Sequence, residues 1–357
     1  MYIYLMMICI IAISGIIFFK STKSNKLMFL ILVTLILFGV MGFRDISVGT
    51  DTRLYCSLYE ADSAKSFLEI IQSDGKYLLY SLYSKVVSLF SSDPLLIIKA
   101  NSFVICILLL IFVYRNSQTK LTTIMLFITF YHFFSAMNIA RQYIAVLLVA
   151  NAIYYLISEN KSIIKYSLIC ICATLIHSTA IISFLLIPFW MIRKSDKKIK
   201  LYIFIIFLAC ILYPNIMKLF AEVFPHYSMY FGNEMLEEVG QNRKIIITII
   251  YMFFWFVMLY ILKYKKLDDN KKERFKLYFF INSIAIILGI ISLKVMLLSR
   301  IEIYYSIFAI IYIPEILDYF REKNFYKFGF VIIMFIPMII QLIGNNSDVL
   351  PYIVSLK

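Results

Sequence analysis

Apolar residues in this chain come in long unbroken runs, separated by short polar segments. The runs 3–19, 27–43, 95–114, 121–136, 142–157, 201–224, 245–262, 277–297, 301–320 and 328–344 predict membrane-spanning helices. Each approaches the ~20 residues that cross the hydrocarbon core of a bilayer. Segment 76–92 (KYLLYSLYSKVVSLFSS) is too short and too polar to span, and reads as an amphipathic helix on the outer surface. No internal repeat, long linker or low-complexity tract interrupts the pattern. The fold class expected is all-α: a polytopic transmembrane helical bundle of about ten spans, forming a single integral membrane domain over 1–357.

Charge orients the bundle. Lys20/Lys23/Lys26, Arg115/Lys120, Lys161/Lys165, RKSDKKIK (193–200), KYKKLDDNKKERFK (263–276) and Arg321/Lys323/Lys327 mark the cytoplasmic side. Segments near 44–75 and 225–243 are acidic or mixed and read as outer loops. Segment 166–192 breaks the alternation, because basic loops flank both of its ends. It is too short for two full spans. A re-entrant hairpin accounts for it, with His177, Ser178 and Thr179 near the tip. A single span that violates the charge rule is the other reading.

Composition agrees with the pattern. The chain is 62% hydrophobic and 16% charged, against roughly 45–50% and 25% in soluble domains. So much apolar surface cannot be hidden in one soluble core. The net charge of +14 sits mainly in short loops, so it is read as a topology signal and not as a nucleic-acid footprint. Five of the six cysteines fall in or beside apolar runs and only Cys56 lies in a polar loop, so no disulfide framework is implied.

The chemistry gathers on the outer side. Arg44, Asp45, Asp51 and Arg53 follow the second span in GFRDISVGTDTRLY. Arg141 opens the 142–157 span, with Gln142 beside it. Arg300 opens the 301–320 span, followed by Glu302 and Tyr304, and His177 comes from the hairpin tip. Charges at a membrane mouth are costly, so their convergence makes a functional site the default expectation. Each also has a plain structural reading: a snorkelling anchor for Arg141 and Arg300, a core histidine for His177, a surface pair for Arg44 and Asp45, a mere turn at Gly49. The sequence has no P-loop, no HExxH, no metal-type Cys/His cluster and no outward DxD-like pair. No cofactor or metal is therefore expected. Two arginines and a histidine suit a lipid-anchored substrate that carries phosphate.

These residues also carry a resemblance. FRDISVGTDTRLY resembles the outer-loop motif of the EpsG family, a branch of the Wzy-type O-antigen and exopolysaccharide polymerases, through Arg44, Val48-Gly49-Thr50-Asp51 and Tyr55. ARQYIA (140–145) is similar to the family's R-Q-x-x-A segment, LIHSTAII (175–182) to its L-x-H-x-S/T segment, and SRIEIYYSI (299–307) to a late arginine segment with Tyr304-Tyr305. The resemblance implies a metal-independent glycosyltransferase in the bacterial cytoplasmic (inner) membrane. It would join oligosaccharide repeat units carried on undecaprenyl pyrophosphate at the outer face. The implied partners are the lipid-linked oligosaccharide, membrane lipids and a chain-length regulator.

On that reading Arg141 and Arg300 grip the pyrophosphate, and His177 acts on the acceptor hydroxyl as the third catalytic residue. Arg44, Asp45, Asp51, Arg53, Gln142 and Tyr304 bind substrate or shape its cavity. An O-antigen ligase uses the same donor and differs by a larger late outer loop. A flippase or transporter of lipid-linked sugars would show internal repeats and midplane charges. A membrane acyltransferase and a purely structural membrane protein are the remaining alternatives.

Overall fold

In the computed structural model the described residues are 1–18, 23–73, 77–158, 161–223, 238–293, 296–345 and 347–355. The predicted outer loop 225–243 lies outside them as far as residue 237, and so does Lys20. Among the described residues the chain is helical, and its extended pairing is an isolated bridge between Arg44 and Val354. It divides into two compact units, residues 1–183 with 310–357, and residues 184–309.

The first unit opens with α1 (Tyr2–Phe18) and α2 (Lys23–Gly42), which pack together. Three short helices follow: α3 (Thr52–Ala64), α4 (Phe67–Gln72) and α5 (Leu78–Ser88). Ser66 caps α4 through a reciprocal capping box with Glu69, which satisfies backbone donors that the first turn would otherwise leave open. The long α6 (Leu95–Asn116) packs on α2 and on α9 (Ala140–Ala152). Between them α7 (Lys120–Thr129) and α8 (His132–Asn138) meet at 57°. The bend falls at Tyr131, which has φ 70°. That left-handed conformation is uncommon without glycine and stops an α-helix locally.

After α9 come the single turn α10 (Tyr154–Ile157) and α11 (Ile163–Ile176). The chain then turns at His177, whose backbone is extended, and continues as the 3-10 segment Ser178–Leu185. The Tyr166 hydroxyl donates to the Ser183 carbonyl at 2.7 Å. Seventeen residues of continuous helix would put these groups about 25 Å apart, so the chain doubles back. The turn falls at His177, where the hairpin tip is expected.

The second unit starts with α12 (Leu186–Ile192) and the long helices α13 (Asp196–Val223), α14 (Glu238–Tyr264) and α15 (Asp269–Ser292). Phe189 and Tyr202 both stack on Phe280, with centroids at 4.3 and 5.4 Å. Asn282 donates across to the Tyr251 carbonyl at 2.9 Å. A Cβ at Gly289 would meet Thr248 Oγ1 at 2.7 Å, so glycine sets the close approach of α14 and α15. α16 (Met296–Ser306) closes the unit. The chain rejoins the first unit through α17 (Ala309–Leu317) and α18 (Lys323–Gly344).

Among the described residues six helices are long and apolar enough to cross a membrane, or seven if the bent pair α7–α8 is one span. They define a multi-pass membrane protein of the expected class, with fewer spans among the described residues than about ten. The expected span 121–136 is broken at Tyr131. The expected span 301–320 is split between α16 and α17, and α1 has only 17 residues. Within their units α9 and α15 are core helices, with 72% and 78% of their spans buried. By contrast α14 and α18 are each only 33% buried and present aliphatic and aromatic side chains outward, as lipid-facing helices do.

Candidate functional site

The loop after α2 is fixed from within. Arg44 is buried, at 2% exposure. Its guanidinium donates to the carbonyls of Met41, Val48 (3.3 Å) and Met137 (2.7 Å) and reaches Ser102 Oγ at 3.4 Å. Burial pushes its pKa down to about 10, so it remains a cation at neutral pH. Three main-chain carbonyls thus receive one charge, and α2, the loop and α8 are tied at a single point.

A strap after α18 completes this arrangement. Asn345 ends α18 in the left-handed region and exchanges two hydrogen bonds with Leu350. The strap then pairs with the loop: Asp45 N donates to Ile353 O at 2.9 Å, Gly49 N to Asp348 O at 2.7 Å, and Ser355 N to Phe43 O at 2.9 Å. Tyr4 and Tyr352 hydroxyls hold its other side through Val349 O and Val40 O. Gly49 sits at φ 100°, and a Cβ there would lie 2.6 Å from Asn138 Oδ1. Only glycine fits this turn without displacing Asn138.

The remaining loop residues differ from Arg44. Asp45 accepts from the amide and hydroxyl of Ser47, which hold its carboxyl below the usual range. Asp51 is half-buried at the start of α3, where its side chain makes no capping bond. Arg53 is exposed on α3, and Gln142 is buried in α9.

A second cluster forms where α3, α5, α9 and α11 meet. The Arg141 guanidinium lies 3.6 Å from the centre of the Tyr77 ring and 5.5 Å from that of Tyr80. Its backbone amide donates to the Tyr55 hydroxyl at 3.2 Å, and its Nε is buried with no hydrogen-bond partner among the described residues. Tyr80 is held in turn by Asn101, whose Nδ2 donates to its hydroxyl at 2.9 Å. The Tyr77 ring also lies 5.7 Å from the His177 imidazole. His177 is buried, and its Nδ1 contacts Thr179 Oγ1 at 2.7 Å, which fixes the ring orientation. Asp62 of α3 completes the surroundings. Burial raises its pKa, while the Ser84 and Ser81 hydroxyls, Lys65 and Arg141 pull it back.

Beside this cluster opens an apolar cavity of about 470 Å³. Its lining includes Tyr80, Tyr83, Leu108, Ile144, Leu148 and Ile176. Ile144 lies about one turn along α9 from Arg141, and Ile176 directly precedes His177. The cluster therefore meets the apolar cavity through Tyr80, and through Ile144 and Ile176, the neighbours of Arg141 and His177 along the chain.

Arg141 and His177 thus share one cluster through Tyr77. Arg300 and Tyr304 belong to the second unit, on α16. There Arg300 is exposed, Tyr304 is buried, and the Glu302 carboxylate interacts with Arg243 and Lys244. Sequence reading missed Tyr77, Tyr80, Asn101 and Asp62. The signal for the tyrosines was the i, i+3, i+6 recurrence of Tyr77, Tyr80 and Tyr83, which puts successive rings near one helix face. Among the described residues no group of His, Cys, Asp and Glu could hold a metal ion.

The fold and this cluster define a multi-pass membrane protein with a cationic, aromatic-lined site next to an apolar chamber. The EpsG family model matches residues 27–354, and the chain belongs to the EpsG family. Membership places it among membrane proteins of the polysaccharide-polymerase, glycosyltransferase-like type. No curated protein and no solved structure matches it.

Proposed function

We propose that this protein polymerises oligosaccharide repeat units carried on undecaprenyl pyrophosphate, at the outer face of a bacterial cytoplasmic membrane. The observation that carries this reading is the Arg141–Tyr77–His177 cluster beside the 470 Å³ apolar cavity. A donor of this kind has a polyisoprenyl tail, a pyrophosphate and a sugar, in that order. The cavity suits part of the tail. Arg141 suits the pyrophosphate: Tyr77 takes the face of the guanidinium, so its N–H edge can meet phosphate oxygens in a bidentate fork.

In this mechanism Arg141 stabilises the negative charge that grows on the leaving pyrophosphate. His177, oriented by Thr179, takes the proton from the acceptor hydroxyl as it attacks the anomeric carbon. The glycosidic bond forms as the bond to pyrophosphate breaks. Asp51 and Arg53 are assigned to sugar hydroxyls, with Asp45 and Gln142 assigned to the surroundings of the substrate. Arg44 is assigned to shaping alone, because its donors are already spent on the main chain. No metal or cofactor takes part, and a chain-length regulator is the proposed protein partner.

The test is a gel of surface polysaccharide from a deletion strain complemented by wild type or by His177→Ala. The reading expects deletion to collapse the ladder to single repeat units on their carrier. It expects His177→Ala, present at normal level in the membrane, to leave it collapsed. Full-length polymer trapped on the lipid carrier would indicate a ligase instead. An unchanged ladder on deletion would remove the polymerase reading altogether.

A further inference from the structure

The second unit carries a feature that the polymerisation chemistry does not use. The inner ends of α13, α14 and α15 enclose a cavity of about 390 Å³ lined by Lys200, Lys263, Lys272 and Lys276, with Asp196 as its acidic member. Asp196 pairs with Lys276 at 2.6 Å. Lys200, Lys263 and Lys272 have no ion-pair partner among the described residues, so the cavity holds surplus positive charge. Three cations gathered at one concave site repel each other, and an anion relieves that cost.

The same three helices continue the cavity as an apolar groove of about 360 Å³, walled by Phe204, Phe207, Trp255, Phe256 and Ile287. Lys200 lines both parts. From Lys276 to Ile287 on α15, and from Lys263 back to Met252 on α14, the helix rise amounts to about 16 Å. One leaflet of a ~30 Å hydrocarbon core has nearly that depth. The lysines fall at the end of the helices that the charge distribution places in the cytoplasm.

We propose that this composite groove binds an anionic phospholipid of the cytoplasmic leaflet. Its headgroup phosphate lies among Lys200, Lys263 and Lys272, and an acyl chain lies along Phe204, Trp255 and Phe256. Charge complementarity selects an anionic over a zwitterionic headgroup, because basic pockets between spans at this face gain from each added negative charge. The matched depth of the apolar groove selects a lipid over a free phosphate ion. The site does not depend on the polymerase reading.

The chain has two tryptophans, Trp190 and Trp255. The full-length Trp190→Phe protein in phosphatidylcholine vesicles therefore reports from the groove through Trp255. Phosphatidylglycerol brominated on its acyl chains should quench Trp255 at a mole fraction about tenfold lower than brominated phosphatidylcholine. Adding Lys200→Gln, Lys263→Gln and Lys272→Gln should abolish that preference. Exchanging the exposed Lys265 and Lys266 for Gln should preserve it. Lys272→Gln alone, at an exposed lysine, should give a smaller loss and serves where the triple variant fails to fold. Equal quenching by the two lipids, a preference that survives the triple exchange, or an equal loss in the Lys265/Lys266 variant would overturn the proposal. Loss of the preference on adding inorganic phosphate would assign the pocket to the free ion and would overturn it too.

Discussion

Arg44 and Arg141 lie in the same unit and both follow the pattern of an arginine at a membrane mouth, yet their surroundings differ in kind. Arg44 meets main-chain carbonyls and the Ser102 hydroxyl, and is buried among them. Arg141 meets the face of Tyr77 and the neighbouring Tyr80, with Nε unpartnered among the described residues. Carbonyl oxygens saturate a guanidinium's donors. A ring face attracts the cation but leaves its donors in the guanidinium plane. The first arrangement ties the fold together, and the second is the one that the proposed pyrophosphate contact requires. A charge at a membrane mouth is thus not a sufficient mark of a site. What its donors already touch decides.

Several changes would break or sharpen this contrast. The largest effect is expected at Arg44. Arg44→Ala leaves three buried carbonyls without their donor and should lower stability by about 3–5 kcal/mol. Arg44→Lys should rescue little of it, because one ammonium cannot reproduce the fork. Thermal melting of the purified protein checks both, and polymer should be lost only in step with the amount of folded protein. Gly49→Ala comes next. It forces a Cβ against Asn138 in a left-handed turn and should cost about 1–3 kcal/mol, read in the same melt. Tyr77→Ala should leave melting nearly unchanged and reduce polymer synthesis roughly tenfold, because it removes the ring that orients Arg141. Tyr77→Phe should keep most activity, since the face and not the hydroxyl makes the contact.

The spans were legible wherever hydropathy alone sufficed. The runs 27–43, 95–114, 245–262 and 328–344 appear as α2, α6, α14 and α18, with ends that differ by at most about two turns of helix. The turn at His177 was also legible, because the flanking basic loops required both ends on one side. The bend at Tyr131 was not, since neither glycine nor proline marks its positive φ. Nor was the break between α16 and α17, where Ile307 and Phe308 are as apolar as the helices they separate. The strap after α18 could not be read because its hydrogen bonds join residues some 300 positions apart in the chain. For the site, sequence singled out Arg141 and His177 as polar residues in apolar surroundings. It could not distinguish Arg44 from them, because that difference lies in which oxygens surround each guanidinium.

The central claim is that Arg141 serves the substrate while Arg44 serves the fold. Arg141→Ala tests it most directly when melting temperature and surface-polymer length are measured on the same variant. The account predicts native melting with a ladder collapsed to single repeat units. A full-length ladder, or a collapse of melting like that expected for Arg44→Ala, would contradict it.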